Sequence, residues 1–242
     1  MRSAPWLFAD PPTSDTAVVT LSEEESRHAR VLRLEPGDEV CLTDGQGAIS
    51  RGSITADGSR VVVTVRETRR LDRSPTQVVV YQGAAKGNKI DDLVERLAQV
   101  GVAEMHVFFS GRAVVRWDDG KRRALTRRWQ ARARSAAKQS RNPWAMTAGP
   151  PMSWNGLLTA VAAEPCAFTL WEDADRGLRE HLKTASRIAL VIGPEGGFDA
   201  SEAEQLAGVG AIPVSLGPRI LRTENAALVA ASAILFHLGE IG

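Results

Sequence analysis

Two short segments of the sequence combine glycine with charged residues in patterns that suit ligand binding. The first, residues 192–198, is Ile-Gly-Pro-Glu-Gly-Gly-Phe and follows the apolar run 188–192. Glycines at the end of a strand allow the backbone to approach a ligand closely, because no Cβ blocks it. The spacing fits neither the G-x-G-x-x-G fingerprint nor a phosphate-binding loop ending in Gly-Lys-Ser/Thr, which disfavours dinucleotides and nucleoside triphosphates. A glycine-rich turn without a ligand is the alternative.

The second segment, residues 215–225, is Ser-Leu-Gly-Pro-Arg-Ile-Leu-Arg-Thr-Glu-Asn and lies between a predicted strand and a predicted helix. Thr223 is the expected N-cap, and Glu224 in the first helical turn suits the helix dipole. Capping alone does not require Arg219 and Arg222, so two guanidinium groups and a carboxylate at the mouth of a sheet indicate a site for chemistry. The two apolar residues between the arginines could wall a slot for a planar ring.

Positive charge is concentrated in residues 112–141, which contain eleven Lys or Arg residues and only two acids. This segment therefore carries +9, whereas the whole chain has a formal net charge of +1, so the remainder is net acidic. Such asymmetry indicates a polyanion-binding face, and we favour RNA as the polyanion. A solvated helix face is the alternative. In the N-terminal region, basic candidates for phosphate contacts are Arg27, His28, Arg30 and Arg33, for which ordinary surface charge is an equal alternative.

The composition excludes several classes of protein. Hydrophobic residues make up 43% of the 242 residues, which is enough for a folded core. The most apolar run, residues 226–236, is too short to span a bilayer, and the N-terminus lacks a signal-peptide pattern, so we expect a cytosolic protein. The two cysteines, Cys41 and Cys166, and the four histidines are scattered, which predicts neither a disulfide framework nor a metal site.

The elements of the N-terminal region are predicted to be short strands, with turns about ten residues apart, as in a small antiparallel barrel. The predicted strands are residues 17–21, 39–43, 48–54 and 60–67. A helix over residues 23–31 interrupts them, and Ser22 with Glu25 predicts its capping box. The polar segment 69–75 contains a proline breaker, so we predict domains at 1–72 and 73–242.

Beyond this boundary strands alternate with helices, which predicts an α/β fold with a mostly parallel sheet and helices on both faces. The predicted strands are 78–82, 102–109, 167–171, 187–192 and 212–216, and the predicted helices are 88–100, 121–140, 176–183, 199–206 and 223–238. Gly101 is expected to end the first of these helices in a left-handed conformation, and Asp199 with Glu202 predicts a capping box. The final helix is apolar on nearly all sides, which predicts burial in the core or in a dimer interface.

Together, residues 192–198 and 216–224 resemble the two C-terminal motifs of the ribosomal RNA small subunit methyltransferase E family, part of the SPOUT superfamily. Supporting matches are His28, residues 31–33 with 37–38, Lys86 with Lys89, and residues 139–143. The matches span both predicted domains, and the two C-terminal motifs are the specific ones.

The resemblance implies an N-terminal PUA-like β-barrel that binds RNA and a C-terminal SPOUT domain with a deep trefoil knot, which periodicity does not predict. It implies a cytoplasmic homodimer that uses S-adenosyl-L-methionine to methylate N3 of a uridine, position 1498 of 16S rRNA, in the small ribosomal subunit. The residues implied for cofactor binding are Leu170, Ile192, Gly193, Pro194, Glu195, Gly196, Gly197, Leu216, Gly217, Ile220 and Leu221. Those implied for RNA binding are Arg27, His28, Arg30, Arg33, Lys86, Lys89, Arg132, Lys138 and Arg141.

Under this resemblance the predicted catalytic residues are Arg222, Glu224 and Arg219. Loss of the N3 proton spreads negative charge over O2 and O4 of uracil, which the arginines can stabilise. Glu224 can accept the proton or orient an arginine, and Glu195 is a weaker candidate for the base. Two other functions remain open, namely methylation of a ribose 2′-hydroxyl by a related enzyme and RNA binding by a non-catalytic assembly factor. Asn225 departs from the family, which usually has threonine at this position.

Overall fold

The computed structural model describes residues 4–10, 17–111 and 117–242. The chain forms two compact units, the first comprising Met1–Arg73 with Ala137–Ala145 and the second Ser74–Ala136 with Met146–Gly242. The first unit therefore includes a short segment from the middle of the chain, which a division of the sequence into consecutive domains does not anticipate.

The first unit contains a five-stranded sheet in the order β1-β3-β4-β5-β2. Its strands are Trp6–Phe8 (β1), Val18–Thr20 (β2), Glu39–Thr43 (β3), Ala48–Asp57 (β4) and Val61–Arg70 (β5). β1 pairs in parallel with β3, and the other neighbours are antiparallel. The four predicted strands are confirmed, whereas β1, which pairs with the distant strand β3, was not predicted. Leu42, Ile54 and Val63 are among the buried residues that form the core of this unit.

Helix α1, Glu23–Val31, begins as the sequence predicts but does not complete the predicted capping box. The Ser22 Oγ accepts a hydrogen bond from the backbone N–H of Glu25 at 3.2 Å. The Glu25 carboxylate does not return to the start of the helix, because its Oε1 accepts a hydrogen bond from Lys138 Nζ at 2.8 Å. The reciprocal half of the predicted box is therefore wrong, and Glu25 instead forms a largely buried ion pair within the first unit.

The second unit contains a six-stranded sheet in the order β11-β9-β10-β6-β7-β8, with every neighbouring pair parallel. Its strands are Gln77–Gly83 (β6), Glu104–Phe108 (β7), Thr147–Ala148 (β8), Ala167–Leu170 (β9), Arg187–Ile192 (β10) and Ile212–Val214 (β11). The five predicted strands and the parallel arrangement are confirmed. β8 has only two residues and gives no recognisable pattern in the sequence.

Six helices accompany this sheet in the part of the chain that the structure describes. They are Lys89–Val100 (α2), Asp119–Ser140 (α3), Trp154–Ala162 (α4), Leu178–His181 (α5), Ala200–Gly208 (α6) and Thr223–His237 (α7). Gly101 ends α2 with φ of 99°, and Asp199 and Glu202 form both hydrogen bonds of the capping box of α6, so both predictions are confirmed. α5 is shorter than the predicted helix over 176–183.

The sequence does not predict α4, since Asn155 and Gly156 in its first turn are poor helix formers. Two contributions stabilise α4, a local hydrogen bond at its start and the burial of apolar side chains. The Ser153 side chain accepts a hydrogen bond from the backbone N–H of Gly156, and Leu157 and Val161 are buried against the sheet.

The two faces of the parallel sheet are covered by different helices, as predicted. Along β6, Val78 and Val80 belong to the core cluster that contains α2 and α7, whereas Val79 and Tyr81 belong to the cluster that contains α4 and α6. This alternation follows from the two-residue period of a strand. It explains why successive residues of the central part of β6 are all apolar.

Gly83, the last residue of β6, lies directly against the loop that follows β10. A Cβ at this position would collide with the backbone nitrogen of Pro194 and would lie 2.7 Å from the carbonyl carbon of Gly193. Both obstacles are backbone or proline atoms, which cannot rotate away as the end of a flexible side chain could. Glycine therefore allows the close contact between β6 and the loop.

We predict that Gly83→Ala lowers the free energy of unfolding by about 1–3 kcal/mol, because the added methyl group overpacks this contact. Gly208→Ala is the matched control, since a Cβ at the last residue of α6 would meet nothing within 4 Å. Urea unfolding monitored by circular dichroism measures both variants. Equal stability of the two variants would show that the loop can move away from β6 without cost.

Candidate functional site

Two loops leave the same edge of the parallel sheet and enclose a cavity of about 650 Å³. Residues 193–199 follow β10, and residues 215–222 follow β11. β9 lies between these two strands, and its last residue, Leu170, also lines the cavity. The carboxyl ends of parallel strands meet at one edge, which is where open α/β sheets bind ligands.

All eleven residues that the resemblance implies for cofactor binding line this cavity, as do Arg219, Arg222 and Glu224. The structure thus brings together residues that are separated by up to about fifty positions in the sequence. Nine further lining residues were not predicted to bind the cofactor, although Lys89 was a candidate for RNA binding and Thr223 a candidate N-cap. These are Lys89, Trp171, Glu172, Phe198, Val214, Ser215, Pro218, Thr223 and Ala226.

The glycines of the two loops permit turns that other residues would strain. Gly197 has φ of 65° and donates its backbone N–H to the Pro194 carbonyl at 2.9 Å, which closes a tight turn. Gly217 has φ of 100°, and its N–H donates to Ser215 Oγ at 3.1 Å. These left-handed conformations favour glycine because it has no Cβ.

The carboxylate of Glu195 is held by groups at the start of α2. Its Oε1 accepts hydrogen bonds from Lys89 Nζ at 3.1 Å and from the backbone N–H of Lys86 at 3.2 Å. Burial alone would raise the pKa of Glu195, but backbone hydrogen bonds and the Lys89 ammonium together lower it below its usual range. Glu195 is therefore ionised at neutral pH, and Lys89 is paired with it.

The start of α7 differs from the prediction that Thr223 is its N-cap. The N-cap is Arg222, with φ of −63° and ψ of 148°, and Thr223 is the first helical residue. The Thr223 hydroxyl donates to the carbonyl oxygen of Gly193 at 2.5 Å and accepts a hydrogen bond from Gln82 Nε2 at 2.7 Å. The prediction is wrong because the hydroxyl binds across to the other loop rather than to the N–H groups of its own helix.

Gln82 is a residue of this site that sequence reasoning missed. It is fully buried in β6, and its side-chain amide donates to Thr223 Oγ1 and to the carbonyl oxygen of Gly193, the latter at 3.3 Å. One signal could have identified it, namely a long polar side chain near the end of an otherwise apolar, buried strand. Such a group requires hydrogen-bond partners, which here come from both loops.

A second cavity of about 310 Å³ lies beside the first. It is lined by Lys89, Asp92, Leu93, Arg96, Arg222, Glu224 and Asn225. Three of these residues, Lys89, Arg222 and Glu224, also line the larger cavity. Glu224 Oε2 is buried and has no hydrogen-bond donor within the described residues, and neither Arg219 nor Arg222 has an ion-pair partner there. The Arg222 guanidinium and the Glu224 carboxylate therefore lie at the boundary between the two cavities.

The basic helix α3 is partly neutralised by acids of α2, contrary to the expectation drawn from its own sequence. Arg128 pairs with the buried Asp91, and Arg132 lies 3.7 Å from Asp91 and 3.5 Å from Glu95. Nearer the N-terminus of the same helix, before Arg128, three cations are exposed. They are Lys121, Arg123 and Arg127. Two basic residues counted in the sequence, Arg112 and Arg116, lie outside the described residues.

The candidate RNA-binding residues of the first unit differ in whether they already form ion pairs within the protein. Arg30 binds Asp57 at 2.9 Å, and Lys138 binds the buried Glu25, so these two cations serve the fold of this unit. Burial and the nearby Lys138 ammonium lower the pKa of His28, which makes its imidazole neutral at pH 7.

Four other candidates for RNA contacts are exposed to solvent. They are Arg27, Arg33, Lys86 and Arg141. Of these, Arg27 pairs with Glu23 at 3.4 Å on the surface of α1, a contact that solvent weakens.

Two kinds of feature are absent from the described residues. None of the helices there combines the length and the apolar character that a bilayer crossing requires. Within the same residues, no three His, Cys, Asp or Glu side chains are grouped so that they could hold a metal ion.

Both parts of the chain match models of known protein families. Residues 72–235 match the family model of an RNA methyltransferase domain, and residues 21–65 match that of an RNA methyltransferase PUA domain. The ribosomal RNA small subunit methyltransferase E of Mycobacterium bovis is 33% identical over 236 residues, covering 94% of this chain and 90% of the relative. The protein of the same name from Bacillus subtilis is 30% identical, covering 90% of each chain.

A solved structure supports the same assignment. A methyltransferase from Legionella pneumophila, solved in complex with its bound cofactor SAM, has a TM-score of 0.90 and 26% identity, and the match covers 97% of this chain and 98% of that one. Its similarity extends over both units described above. The chain belongs to the ribosomal RNA small subunit methyltransferase E family of RNA methyltransferases.

Proposed function

We propose that this protein transfers a methyl group from S-adenosyl-L-methionine to N3 of a uridine in 16S rRNA of the small ribosomal subunit. The observation that carries the proposal is the cavity between the loops after β10 and β11, in which glycine backbone, apolar side chains and the Arg222 guanidinium meet. The RNA methyltransferase assignment of the family supports the reaction class, and the SAM-bound relative supports the donor.

The residues of the cavity fit a nucleoside-type cofactor. Its volume of about 650 Å³ lies within the range of small-molecule sites. Leu170, Leu216 and Leu221 offer apolar surface for an adenine ring, and a Cβ at Gly193 would come within 3.1 Å of the backbone of Gly197, which shows how closely this turn is packed. When bound, the cofactor supplies an activated methyl group carried by a sulfonium.

The second cavity is our proposed site for the acceptor nucleotide. It is about 310 Å³ in volume, and Arg222 and Glu224 line it as well as the cofactor cavity. A base that is to be modified must leave its stack to reach such a site. Holding donor and acceptor next to each other, with both beside Arg222 and Glu224, would supply the orientation that transfer requires, a contribution of up to about 7–11 kcal/mol.

Arg222 and Glu224 have complementary roles in this proposal. When uridine loses its N3 proton, negative charge spreads over O2 and O4, and the exposed Arg222 guanidinium can stabilise it, with Arg219 as a second candidate. Glu224 keeps a carboxylate oxygen without a donor in the described chain, so it can accept the proton or orient Arg222. Glu195 is disfavoured as the base, because its pKa is lowered and Lys89 holds its carboxylate.

RNA contacts are proposed for exposed basic residues of both units. In the second unit the candidates are Lys86, Arg132 and the exposed cations of α3; in the first unit they are Arg27, Arg33 and Arg141. The match to an RNA methyltransferase PUA domain supports a role of the first unit in RNA binding, and closure of its sheet into a barrel belongs to the same proposal. Many phosphate contacts of this kind would make binding steeply salt-dependent.

A homodimer in the cytoplasm and a trefoil knot belong to the proposal as well. Helix α7 buries one side against α2 and the sheet, but Val229 and Phe236 on another side are 46% and 69% exposed. A second copy could cover this face. The knot is proposed from the family resemblance alone.

The decisive test of the function is incubation with small ribosomal subunits that lack the modification, using a labelled methyl donor. Nucleoside analysis of the digested RNA should yield N3-methyluridine at one position. A 2′-O-methylated nucleoside would instead identify a ribose methyltransferase. Incorporation of no label, with RNA binding retained, would identify a non-catalytic RNA-binding protein.

We predict that Arg222→Ala lowers kcat by about 10²–10³-fold, the usual loss when one donor to a developing negative charge is removed. The dissociation constant for S-adenosylmethionine, measured by calorimetry, should change little, since the cavity keeps its backbone and apolar walls. Arg179→Ala is the control, because Arg179 is exposed on α5 and lines neither cavity. Methylation by Arg222→Ala at the wild-type rate would remove Arg222 from the mechanism.

We predict that Glu195→Gln reduces stability at pH 7 but leaves the shape of the pH–rate profile unchanged. The lowered folded pKa means that ionised Glu195 stabilises the fold above the unfolded value of about 4.3, and that this stabilisation disappears as the pH falls through the folded pKa. At pH 7 the difference should be about 0.2–1 kcal/mol, because the pair is partly exposed. Glu204→Gln, at an exposed position of α6, is the control. Loss of a titration limb near neutral pH would identify Glu195 as the base.

We predict that Phe236→Glu shifts the protein from dimer to monomer in sedimentation at micromolar concentration, because a buried carboxylate at an apolar interface is costly. Val18→Glu is the control, since Val18 is 66% exposed on β2 of the first unit. A monomeric wild-type protein would contradict the dimer. A dimeric Phe236→Glu variant would place the interface on another face.

A further inference from the structure

We infer that Gln82 is a positioning residue for methyl transfer, which holds the two loops of the cofactor cavity in one fixed arrangement. The inference rests on the proposed function, since it assigns to Gln82 an effect on that reaction. Gln82 lines neither cavity, so it acts through Thr223 and Gly193 rather than on a substrate.

The hydrogen bonds of Gln82 connect three separate parts of the chain. Its Nε2 donates to Thr223 Oγ1 at 2.7 Å and lies 3.3 Å from the carbonyl oxygens of Gly83 and Gly193. The Thr223 hydroxyl in turn donates to the Gly193 carbonyl oxygen. Because two carbonyl oxygens face this end of the side chain, it must be the amide NH₂ group, which fixes the orientation of Gln82.

These contacts fix residues that the proposed reaction uses. Gly193 opens the loop after β10, and Thr223 lies between Arg222 and Glu224 at the start of α7. The Gln82–Thr223–Gly193 connection therefore sets the distance between the first loop and the side chains of Arg222 and Glu224. Transfer between a donor and an acceptor is sensitive to such distances, and a displacement of about 1 Å can reduce the rate by about 10²-fold.

The other end of the Gln82 side chain indicates that the residue is not optimal for stability alone. Gln82 is 0% exposed, and its Oε1 is buried without a hydrogen-bond donor among the described residues. An unpaired buried oxygen is unfavourable, whereas an apolar side chain of similar shape would avoid it. The benefit of glutamine at this position is thus the rigid connection between the loops.

The test compares Gln82→Met, Thr223→Val and Thr223→Ser with the control Gln130→Met. Gln130 also bridges backbone with its amide, donating to the Met146 carbonyl at 3.1 Å and accepting from the Ala148 N–H at 3.0 Å, but it lines neither cavity. Gln82→Met should keep its thermal midpoint within about 4 °C of the wild type, while kcat at saturating substrates falls about 10- to 100-fold. Gln130→Met should lose stability and keep its kcat.

The variants at Thr223 separate the hydroxyl from the shape of the side chain. Thr223→Ser retains the hydroxyl and should keep kcat within about 3-fold of the wild type, whereas Thr223→Val should match Gln82→Met. Because the two side chains act through one connection, the double variant should be no worse than the poorer single variant. A multiplied loss would mean that they act independently and would overturn the inference.

Amide hydrogen exchange gives a readout that does not depend on activity. In Gln82→Met and Thr223→Val, protection should fall together in residues 193–197 and 217–222, and in Gln130→Met it should fall only near residues 146–148. Unchanged protection of either loop in Gln82→Met, or an unchanged kcat, would overturn the inference. If the wild-type protein methylates no RNA, the proposed function fails, and the exchange measurement still decides whether Gln82 couples the loops.

Discussion

The structure depends on one constraint, which is that two loops leaving the same edge of a parallel sheet must close on each other at hydrogen-bond distance. Parallel pairing of β11, β9 and β10 places the ends of these strands side by side. Gly83 lets the backbone of the first loop pack directly on β6, and the hydroxyl of Thr223 reaches the carbonyl oxygen of Gly193. The cavity, and the placement of Arg222 and Glu224 beside it, follow from this closure.

Elements with a strong local pattern could be predicted from the sequence, and elements that depend on distant partners could not. β10 and the capping box of Asp199 and Glu202 match the prediction because their signals lie within a few residues. β8 and α4 were beyond prediction, since a two-residue strand has no period and α4 is stabilised mainly by burial. At the site, the local pattern around Thr223 correctly predicts that a helix starts there. It does not predict that the Thr223 hydroxyl binds the carbonyl oxygen of Gly193 instead of capping the helix.

The charged residues of the chain also depend on distant partners that a local pattern does not reveal. The excess of arginine over acid in α3 is real in the sequence, but Asp91 and Glu95 of α2 supply partners for Arg128 and Arg132 in the fold. A count along one segment therefore overestimates the positive charge available to a polyanion. Likewise, the motif residue Glu195 appears as a free acid in the sequence, whereas Lys89 holds it in the structure. The motifs could predict which residues line the cavity, but they could not predict which charged residues form ion pairs with one another.

The methyl donor is proposed to bind between the loops after β10 and β11. A crystal structure of the protein with S-adenosylmethionine is the measurement that tests it. We expect density for the cofactor between residues 193–198 and 215–222, in contact with the glycine backbone of both loops and beside Arg222. Density in another cavity, or an unchanged structure at saturating cofactor, would contradict the proposal that these two loops form the donor site.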